Sequence, residues 1–462
     1  MKNILCLSAL VLLFLISTFA AIAQATGTTA AVSDKTLTVN KKEMAAKVKA
    51  EFLHAWNGYK KYAWGYDALK PLSKEPHNWY KKSLLMTPVV AFDTMILMGL
   101  TEEAGEAKEL IFKDLDFDVD MEVQNFEVSI RILGGLLSAY ELDGDPRFLT
   151  LAEDLGKRLM KAFNSPTGMP YLYVNLKTGA TSGANSNPAE IGTYLVEYGT
   201  LSKHTKDPVY YKTAMKAMTA LYAFRSPINL TAEGINIETG KVTSPISHIS
   251  GYIDSYLEYI LKGSILFNDK QLSEMWVPTI DAVNKYLADQ TPDGLWYGHA
   301  DMYTGKISET SYGALDAFFS GTLVMNKDLK RAVALQNSNY AMWMQNGVEP
   351  ESMNCITKEV ENGAYILRPE NIEGAYYLYQ YTHDERYLEM GANMFNNLVK
   401  YCRTDDAYAA LKDVRTKEKK DYMESFFFAE TLKYAFLLFD ESGKLDFNKV
   451  IFNTEAHPYK RG

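Results

Sequence analysis

The feature that most constrains the fold of this chain is a helical spacing of apolar residues that runs from Lys41 to the C-terminus and is broken by short turn clusters. Three clusters occupy equivalent positions, each after a helix rich in Leu and Tyr and before a helix led by an aromatic residue. They are Asp143-Gly144-Asp145-Pro146, Thr205-Lys206-Asp207-Pro208 and His383-Asp384-Glu385. A helical hairpin that repeats without parallel strands predicts a stacked or ringed all-helical fold.

The same spacing predicts a first helix from Lys41 and a second over Phe126 to Tyr140. Further predicted helices span 151–163, 191–201, 210–224, 253–266, 275–287, 315–325, 329–342, 372–381, 387–401 and 424–439. Two strand-like pieces, 171–175 and 234–236, fall between helices, and we place them at a rim, where loops carry function. No linker rich in Pro, Gly or Ser interrupts residues 41–462, which predicts a single domain.

The N-terminus has an apolar run from Ile4 to Phe19 that ends on small residues at Ala21-Ile22-Ala23. This pattern predicts a secretory signal peptide over 1–23 and a flexible leader over 24–40. No second apolar run of eighteen or more residues follows. We therefore expect an exported protein, periplasmic or extracellular, without a membrane span in its mature form.

Composition and the absence of certain motifs argue against several classes of function. The net charge of -9, with no basic stripe, argues against a nucleic-acid partner. The seven histidines include no His-x-x-x-His pair, which disfavours zinc, and serine hydrolase, Walker and Rossmann motifs are absent. The 31 tyrosines suit either sugar stacking or a tyrosine-rich core. Whether Cys355 and Cys402 pair stays open.

Four groups of carboxylates stand at predicted helix starts. Glu127 and Arg131 lie one turn apart on an otherwise apolar helix, which suits a buried ion pair or a functional site. Asp254 suits a helix N-cap as well as a functional acid. The other groups are Glu370 with Glu373 beside Arg368, and Glu430 on the same helical face as Phe426. Convergent carboxylates with arginines and an aromatic platform are typical of glycoside hydrolysis.

Two stretches suggest oxygen ligands for a metal ion. Asp116, Asp118, Asp120 and Glu127 have the spacing of a calcium-binding EF-hand, but Met121 stands where that loop requires Gly. The heptad Phe452 to Pro458 lies four residues before the C-terminus and sets Thr454 beside Glu455, and a threonine hydroxyl with its carbonyl suits a hard cation. An ordinary turn after a terminal strand is the alternative.

From residue 50 to 458 the chain resembles glycoside hydrolase family 47, the class I α-mannosidases, and we interpret it as an exported bacterial member. The matching motifs are His54-Ala55-Trp56 with Tyr59, Ala63-Trp64-Gly65 and Asp67; Asp93-Thr94 with Met98-Gly99-Leu100; Phe126 to Tyr140; Asp254-Ser255-Tyr256 with Glu258-Tyr259 and Leu261-Lys262; Arg368-Pro369-Glu370 with Glu373; Met423 to Phe427 with Glu430 to Tyr434; and Asn453 to Pro458. The resemblance implies an (α/α)7 barrel of helical hairpins with small rim strands, plugged at one end by a C-terminal hairpin.

The resemblance also implies roles for individual residues. It makes Glu127 the general acid, Glu370 the base and Asp254 a third catalytic carboxylate, with Thr454 as the ligand of a Ca2+ cofactor. The residues that it assigns to the terminal mannose site, or to holding calcium-bound water, are Arg131, Arg368, Glu351, Glu373, Phe426, Glu430 and Glu455.

Departures from the family pattern lie on the leaving-group side. Tyr252 stands where many members carry Arg or Leu, and Ala314-Leu315-Asp316-Ala317-Phe318 replaces a His-Leu-Val-Cys-Phe segment. With Phe319-Ser320-Gly321, this variant is similar to the degradation-enhancing mannosidase-like branch. Val90 replaces the first Asp of an Asp-x-x-Asp-Thr motif.

These implications predict a calcium-dependent, inverting, exo-acting α-1,2-mannosidase that trims high-mannose glycans or mannan. We expect a monomer whose partner is the α-1,2-linked mannose oligosaccharide. The alternatives are a glycan-binding module on a non-catalytic scaffold of the same family and another helical-toroid glycosidase or lyase.

Overall fold

Seven pairs of helices close into a ring within residues 39–461, the part of the chain that the computed structural model describes. Each pair joins an inner to an outer helix: Met86–Met98 with Thr101–Asp114, Gly134–Asp143 with Pro146–Leu159, Leu195–Thr205 with Val209–Ala223, Asp254–Phe267 with Lys270–Tyr286, Phe319–Met325 with Leu329–Asn346, Glu370–Thr382 with Arg386–Cys402, and Leu432–Phe439 with Lys41–Ala63. The last pair joins the two ends of the helical region and closes the ring. The predicted (α/α)7 barrel is thereby confirmed.

The predicted signal peptide (1–23) lies outside the described residues, as does the predicted leader (24–40) up to residue 38. Among the residues that are described, no helix has the length and apolarity needed to span a bilayer. Cys355 and Cys402 are both buried and free, which answers the question of their pairing.

The predicted helices are present, and several of them differ locally from the prediction. The helix predicted over 191–201 is split into Pro188–Gly192 and Leu195–Thr205. The helix predicted from Glu424 begins at Phe427 as a π-helix. The remaining helical segments are Asn125–Val128, the π-helices Ser129–Leu133 and Phe427–Thr431, and the 3-10 segments Met160–Phe163, Leu315–Phe318 and Phe447–Lys449.

Inner and outer helices differ in burial as their positions require. Along the inner helix Glu370–Thr382, every residue from 370 to 378 is buried. The outer helix Pro146–Leu159 buries one face, which includes Phe148, Ala152 and Leu155. A helix between the barrel interior and an outer layer must be apolar all round, whereas an outer helix needs a single apolar stripe.

Tight turns connect inner to outer helices at one end of the ring. In each of the six turns a residue near the helix end adopts a left-handed conformation with φ between 50° and 84°: Gly99, Gly144, Lys206, Asn268, Lys327 and His383. Such a residue ends a helix by redirecting the chain. The three equivalent turn clusters of the sequence are therefore confirmed as members of a larger set.

Longer connections at the other end carry short antiparallel strands. These are Ala68–Lys70 with Glu75–His77; Glu122–Gln124 with Tyr173–Asn175 and Thr181–Ser182; Asn185–Ser186 with Gly234–Asn236 and Val242–Ser244; Ile246–Ser247 with His299–Asp301 and Ile307–Glu309; Ala288–Thr291 with Gly294–Tyr297; Ser311–Tyr312 with Ser352–Asn354 and Val360–Asn362; and Leu411–Asp413 with Glu418–Lys419. The rim strands predicted over 171–175 and 234–236 are among them.

Five of these rim hairpins use one turn sequence, Asn/Asp-x-x-Thr, which begins at Asn175, Asn236, Asp301, Asn354 and Asp413. The first side chain accepts the backbone N–H two residues on, and the threonine hydroxyl accepts the N–H two residues beyond itself. Such bonds replace the ladder at the tip of a hairpin. The sequence analysis did not predict this repeated turn.

A C-terminal hairpin, Val450–Phe452 with Pro458–Lys460, enters the barrel from the end with the tight turns. Its turn is buried and held by Asn453, whose amide donates to the Ile130 carbonyl at 3.0 Å and to Glu197 at 2.8 Å. The Asn453 side-chain oxygen accepts the N–H groups of Glu455 and His457. The segment is thus a plug, as predicted from the resemblance.

The plug approaches an inner helix so closely that Gly134 has to be a glycine. A Cβ atom at this position would lie 2.8 Å from the Asn453 amide nitrogen. The Tyr459 hydroxyl donates to the Gly134 carbonyl at 2.9 Å. The close contact between plug and helix therefore explains a glycine inside a helix, where it lowers helix propensity.

A fully buried charged group also anchors the plug. The Asp93 carboxylate accepts from Lys433 Nζ at 2.8 Å, from His457 Nδ1 at 2.6 Å and from the Ser138 hydroxyl at 2.9 Å. Lys433 donates in addition to the Ala456 carbonyl at 2.6 Å. Burial opposes ionisation of Asp93, but Lys433 and His457 outweigh it and hold the pKa of Asp93 at about 2.

We expect Asp93→Asn to lower the free energy of unfolding by about 3–5 kcal/mol, because it leaves the Lys433 ammonium buried without its counter-charge. Urea unfolding followed by circular dichroism measures the loss. The matched control is Asp328→Asn, which weakens the partly exposed pair with Arg331 and should cost less than about 1 kcal/mol. Equal losses in both variants would contradict an anchoring role for Asp93.

Candidate active site

A cavity of about 190 Å³ lies where the first turns of the inner helices meet the plug. Its lining comprises Phe126, Glu127, Ile130, Arg131, Asp254, Ser255, Glu258, Leu315, Phe318, Arg368, Pro369, Glu370, Glu373, Phe426, Glu430, Thr454 and Glu455. Every site residue predicted from the sequence is on this wall except Glu351. Glu351 contacts the wall from behind, since it accepts from Arg368 Nη2 at 2.9 Å.

The ring geometry explains why carboxylates gather here. Asp254 and Glu370 are the first residues of their inner helices, and Glu127 lies in the short helix Asn125–Val128. The N-terminal end of a helix carries partial positive charge and favours carboxylates in the first turn. Because all inner helices begin at the same end of the barrel, these carboxylates converge.

The N-cap interpretation of Asp254 is wrong. Ile253 occupies the N-cap position, and no side chain there accepts a hydrogen bond. One carboxylate oxygen of Asp254 is buried without a hydrogen-bond partner among the described residues. Burial raises the pKa of Asp254 to about 7. Asp254 is therefore a half-buried acid that faces the cavity.

Arg131 connects one wall of the cavity to the plug. Its Nε donates to Glu127 Oε2 at 2.7 Å and its Nη1 donates to Glu455. The guanidinium carbon lies 5.7 Å from the centre of the Phe426 ring. The ion pair that the helical spacing predicts is present, but both partners line the cavity, so the pair also faces a ligand site.

Arg368 organises a second wall. Its guanidinium contacts Glu351 and lies 3.5 Å from Glu370 Oε1. The other oxygen of Glu370 is buried and has no partner in the described part of the chain. Burial raises the pKa of Glu370 to about 7, although Arg368 opposes the shift. A carboxyl group that is half ionised near neutral pH can accept or donate a proton in a reaction.

Two further carboxyl groups have raised pKa values. Burial raises the pKa of Glu373 to about 8. For Glu430, burial raises the pKa strongly, and repulsion from Glu455 adds to the shift. Environments of this kind cluster at functional sites because they adjust acids and bases to their task.

The cavity wall carries an excess of negative charge. Seven of its residues are carboxylates, from Glu127 to Glu455 along the chain, and two are arginines. Lys262 reaches Glu258 from behind the wall and donates to the Asn453 carbonyl at 3.2 Å. Carboxylates that share a site cannot all ionise without a counter-charge. The site therefore suits protons or a bound cation.

Thr454 lies at the floor of the cavity. Its backbone N–H is 3.2 Å from the Tyr259 hydroxyl, while its own hydroxyl and carbonyl oxygens take part in no hydrogen bond among the described residues. No group of three or more His, Cys, Asp or Glu side chains is arranged to hold a metal in the described part. A cation here would thus rely on Thr454 and on water oriented by the surrounding carboxylates, which hard cations tolerate.

The aspartates whose spacing suggested an EF-hand make other contacts in the structure. Asp116 accepts the backbone N–H of Asp118 at 2.9 Å and the Lys82 ammonium at 3.1 Å. Asp120 accepts from Asn175 at 2.8 Å. Asp116 and Asp120 thus form turn and rim contacts away from the cavity, whereas Glu127, the fourth residue of that spacing, lines the cavity.

Two π-helices shape the wall in a way that the sequence did not reveal. Arg131 lies in Ser129–Leu133 and Glu430 lies in Phe427–Thr431. A π-turn adds one residue to a helical turn and is often found at functional sites. Here the two π-turns bring Arg131 and Glu430 onto the cavity wall.

The sequence analysis did not single out one acid of the cavity wall, Glu258, or a further buried acid near it, Glu190. Glu258 follows Asp254 by one helical turn and lines the cavity. Glu190 accepts from the Gln124 side chain, and burial raises the pKa of Glu190 to about 8, with Glu127 and Asp254 adding to the shift. Glu190 stands in the first turn of Pro188–Gly192. A carboxylate at a helix start, the signal that identified the other groups, could have found it.

Comparisons with known proteins agree with this geometry. The profile described as Glycosyl hydrolase family 47 matches residues 51–461. ER degradation-enhancing alpha-mannosidase-like protein 2 of Mus musculus is 36% identical over 448 residues, 89% of this chain and 77% of that protein. Mannosyl-oligosaccharide 1,2-alpha-mannosidase IB of Homo sapiens is 34% identical over 448 residues, 90% of this chain and 70% of that protein.

Among solved structures, an alpha-1,2-mannosidase from Trichoderma reesei superposes with a TM-score of 0.84 at 27% identity and covers 91% of this chain and 99% of that chain. A cellobiose 2-epimerase from Bacillus thermoamylovorans has a TM-score of 0.55 at 13% identity, covers 70% of this chain and 89% of that chain, and shares the fold alone.

We expect the metal-free protein to lose stability as the pH rises from about 5 to about 8. Asp254 and Glu370 titrate at about 7 when folded, above the usual values of about 4 for unfolded chains. A folded pKa above the unfolded value stabilises the folded state at low pH, and this contribution is lost as the pH rises through the folded pKa. Thermal unfolding in chelator measures the slope.

The matched variant for this prediction is Glu370→Gln, which removes one of the two titrations and should flatten the slope. Glu122→Gln, on an exposed rim strand, should leave the slope unchanged. A slope in Glu370→Gln as steep as that of the natural protein would contradict the assignment.

Proposed function

The chain belongs to glycosyl hydrolase family 47 and is a glycoside hydrolase, and on this premise we propose that it is an inverting, exo-acting α-1,2-mannosidase that depends on calcium. The observation that carries the proposal is a small cavity, closed by the plug, whose wall brings together carboxylates from several inner helices. The plug, with Thr454 and Glu455 on the cavity wall, closes the inner end of the cavity, which suits a site that holds the terminal residue of a glycan. An enzyme with such a site removes terminal residues.

Inverting hydrolysis needs an acid and a base. In the proposed reaction Glu127 donates a proton to the glycosidic oxygen as the bond from that oxygen to the anomeric carbon breaks. Glu370 accepts a proton from the water that attacks the opposite face of this carbon, so the released sugar has the inverted configuration. Asp254 is the third catalytic carboxylate, and Arg131 holds Glu127 in place.

The other predicted residues bind the terminal sugar. The Phe426 ring packs against the apolar face of the sugar. Arg368 fixes Glu351 and lies beside Glu370, so that the base and its neighbours keep one arrangement. Glu373, Glu430 and Glu455 accept hydrogen bonds from sugar hydroxyls or from water that surrounds a cation.

Calcium fits the residues that are present. Thr454 offers a hydroxyl and a carbonyl oxygen, and the excess of carboxylates supplies the negative charge that a divalent cation needs. When bound, the ion supplies a hard cation that can hold vicinal sugar hydroxyls. The chain contributes Thr454 as the ligand and positions it through the buried bonds of Asn453.

The names of the relatives support the proposed substrate class. Their printed names include alpha-mannosidase-like proteins and mannosyl-oligosaccharide 1,2-alpha-mannosidases. High-mannose glycans or mannan are the corresponding substrates for this chain, and we propose that it acts as an exported monomer. Those relatives come from mouse, human and Arabidopsis, so a bacterial source stays a prediction from the sequence.

The leaving-group side departs from the family pattern. Tyr252 stands just before Asp254 with its side chain 60% exposed and its backbone at φ +76°. A non-glycine residue in this conformation is strained and is retained where the surroundings require it. We expect this side to determine which glycan branches are accepted.

We expect Glu127→Gln to lower kcat/KM about 10²- to 10⁴-fold, because an amide cannot act as the general acid. Release of mannose from α-1,2-mannobiose measures the rate, and NMR of the first product identifies the anomer. The control is Glu122→Gln on the rim. A natural protein that binds the glycan but releases no mannose, with Glu127→Gln unchanged, would favour the alternative of a glycan-binding module.

We expect chelation to abolish activity and added calcium to restore it. Thr454→Ala should weaken calcium binding, measured by calorimetry without substrate, while the fold remains intact because Asn453 still holds the turn. Thr416→Ala, in a rim turn, is the matched control. Full activity in excess chelator would overturn the metal assignment and would favour another helical-toroid glycosidase or lyase.

A further inference from the structure

Two carboxyl groups, separated by one residue, hold the start of the inner helix that carries Glu370. Glu351 accepts from Arg368 Nη2 at 2.9 Å, and Arg368 stands two residues before Glu370. Glu349 accepts from the Asn371 amide at 2.8 Å, and Asn371 directly follows Glu370. The chain on both sides of Glu370 is therefore bound to one short segment.

We call this segment, residues 349–351, the strap. The rim holds its backbone, since the Glu351 N–H donates to the Ala364 carbonyl at 2.8 Å. The Glu351 carbonyl also packs so closely on Gly313 that a Cβ atom at that glycine would lie 2.0 Å from the oxygen. Contacts of its own backbone thus fix the strap in place beside the helix.

The Asn371 side chain uses both of its polar atoms. Its amide nitrogen donates to Glu349 and to the Asn339 carbonyl, each at 2.8 Å. Its side-chain oxygen accepts from Gln336 Nε2 at 2.9 Å, and Gln336 Nε2 lies 3.0 Å from the main-chain carbonyl of Asn371 as well. All four of these residues are fully buried. The first turn of the inner helix is thereby connected to the strap and to the outer helix Leu329–Asn346.

Packing alone does not explain these polar side chains. Burying a carboxyl or amide group costs free energy, and apolar residues of the same shape can replace a buried hydrogen-bonded pair at little loss. Oε1 of Glu349 and Oε1 of Gln336 are buried without a hydrogen-bond partner among the described residues. Burial raises the pKa of Glu349 well above its usual value, and repulsion from Glu370 and Glu351 adds to the shift. The surroundings therefore favour the uncharged form of Glu349.

The chain that leads into the helix is strained. Leu367 has a left-handed backbone with φ +70°, three residues before Glu370. The Thr431 hydroxyl donates to the Leu367 carbonyl at 2.7 Å, and the Tyr365 hydroxyl donates to the Arg368 carbonyl at 3.3 Å. Strained residues persist where surrounding contacts fix them, and they are concentrated at functional sites. The strap adds such contacts on both sides of Glu370.

We propose that Glu349 is a positioning residue for the reaction, which fixes the first turn of the helix through Asn371 and thereby holds the carboxyl group of Glu370 in place. Glu351 fixes the other side of Glu370 through Arg368. The proposal rests on the proposed function, in which Glu370 is the base. The residues that the family resemblance assigns include Glu351 and do not include Glu349.

The test compares Glu349→Leu, which removes the acceptor for Asn371, with Glu349→Gln, which keeps an acceptor oxygen and carries no charge. Release of mannose from α-1,2-mannobiose by the full mature chain with calcium measures kcat and KM. In Glu349→Leu we expect kcat to fall about 10- to 100-fold with little change in KM, because a small misplacement of a catalytic group slows the reaction. In Glu349→Gln we expect kcat to stay close to that of the natural protein.

Hydrogen exchange followed by mass spectrometry examines the helix start without any turnover. The Glu373 N–H donates to the Pro369 carbonyl at 2.9 Å and closes the first turn. Amides of residues 371–375 should exchange faster in Glu349→Leu, because local opening of a segment determines how fast its amides exchange. In Glu349→Gln they should exchange as in the natural protein.

The matched control is Tyr211→Phe. It removes a hydrogen bond from the Tyr211 hydroxyl to Asp269 at 2.6 Å, which joins two outer helices away from the cavity. This variant should lose stability without a change in kcat or in exchange at the helix start. Asn371→Ser removes the bond to Glu349 from the other side, and it should show both effects of Glu349→Leu should that variant fail to fold.

An unchanged kcat in Glu349→Leu, or a loss in Glu349→Gln as large as in Glu349→Leu, would overturn the proposal. Natural exchange at the helix start in Glu349→Leu would overturn it as well. If the natural protein released no mannose, the proposed function would be refuted, and the exchange rates would still test whether Glu349 fixes the helix start.

Discussion

The structure depends on the buried contacts between the C-terminal turn and the inner helices. Asn453 bonds to the Ile130 carbonyl and to Glu197, while Asp93 and Lys433 hold His457 and the backbone of the plug. Two of these contacts, Asn453 with Ile130 and His457 with Asp93, join residues more than three hundred positions apart in the chain. The floor of the cavity, with Thr454 and Glu455, therefore exists only when the ring has closed around the plug.

The concentration of acids in the cavity is a consequence of the ring. Inner helices that all begin at one end direct their first-turn carboxylates to one place, and the helix ends favour that charge. Burial then raises the pKa values of Asp254, Glu370 and Glu373. Ionised together, these groups would destabilise the folded state, and this cost is characteristic of functional sites. Arg131 and Arg368 offset part of it, and a cation would offset more.

Much of the fold could be predicted from the sequence because helical spacing and turn composition are local properties. Several elements are present as predicted: the helix from Lys41, the turns at Gly144, Lys206 and His383, and the rim strand Gly234–Asn236. The break between Gly192 and Leu195 and the π-turn that holds Glu430 were not predicted. Both are irregularities within apolar helical patterns, where packing against neighbouring helices decides the backbone geometry. The repeated sequence Asn/Asp-x-x-Thr would have predicted the rim turns, but the sequence analysis did not include it.

By itself the sequence determined which residues could form the site, since Glu127, Arg131, Glu370 and Glu430 each stand out against an apolar helix. Only the tertiary structure decided how they are used. It made Asp254 a half-buried acid of the cavity wall instead of a helix cap, and it left Cys355 and Cys402 free. The physical reason is that side-chain identity and spacing along a helix are local, whereas burial and the distance between remote side chains are set by closure of the ring.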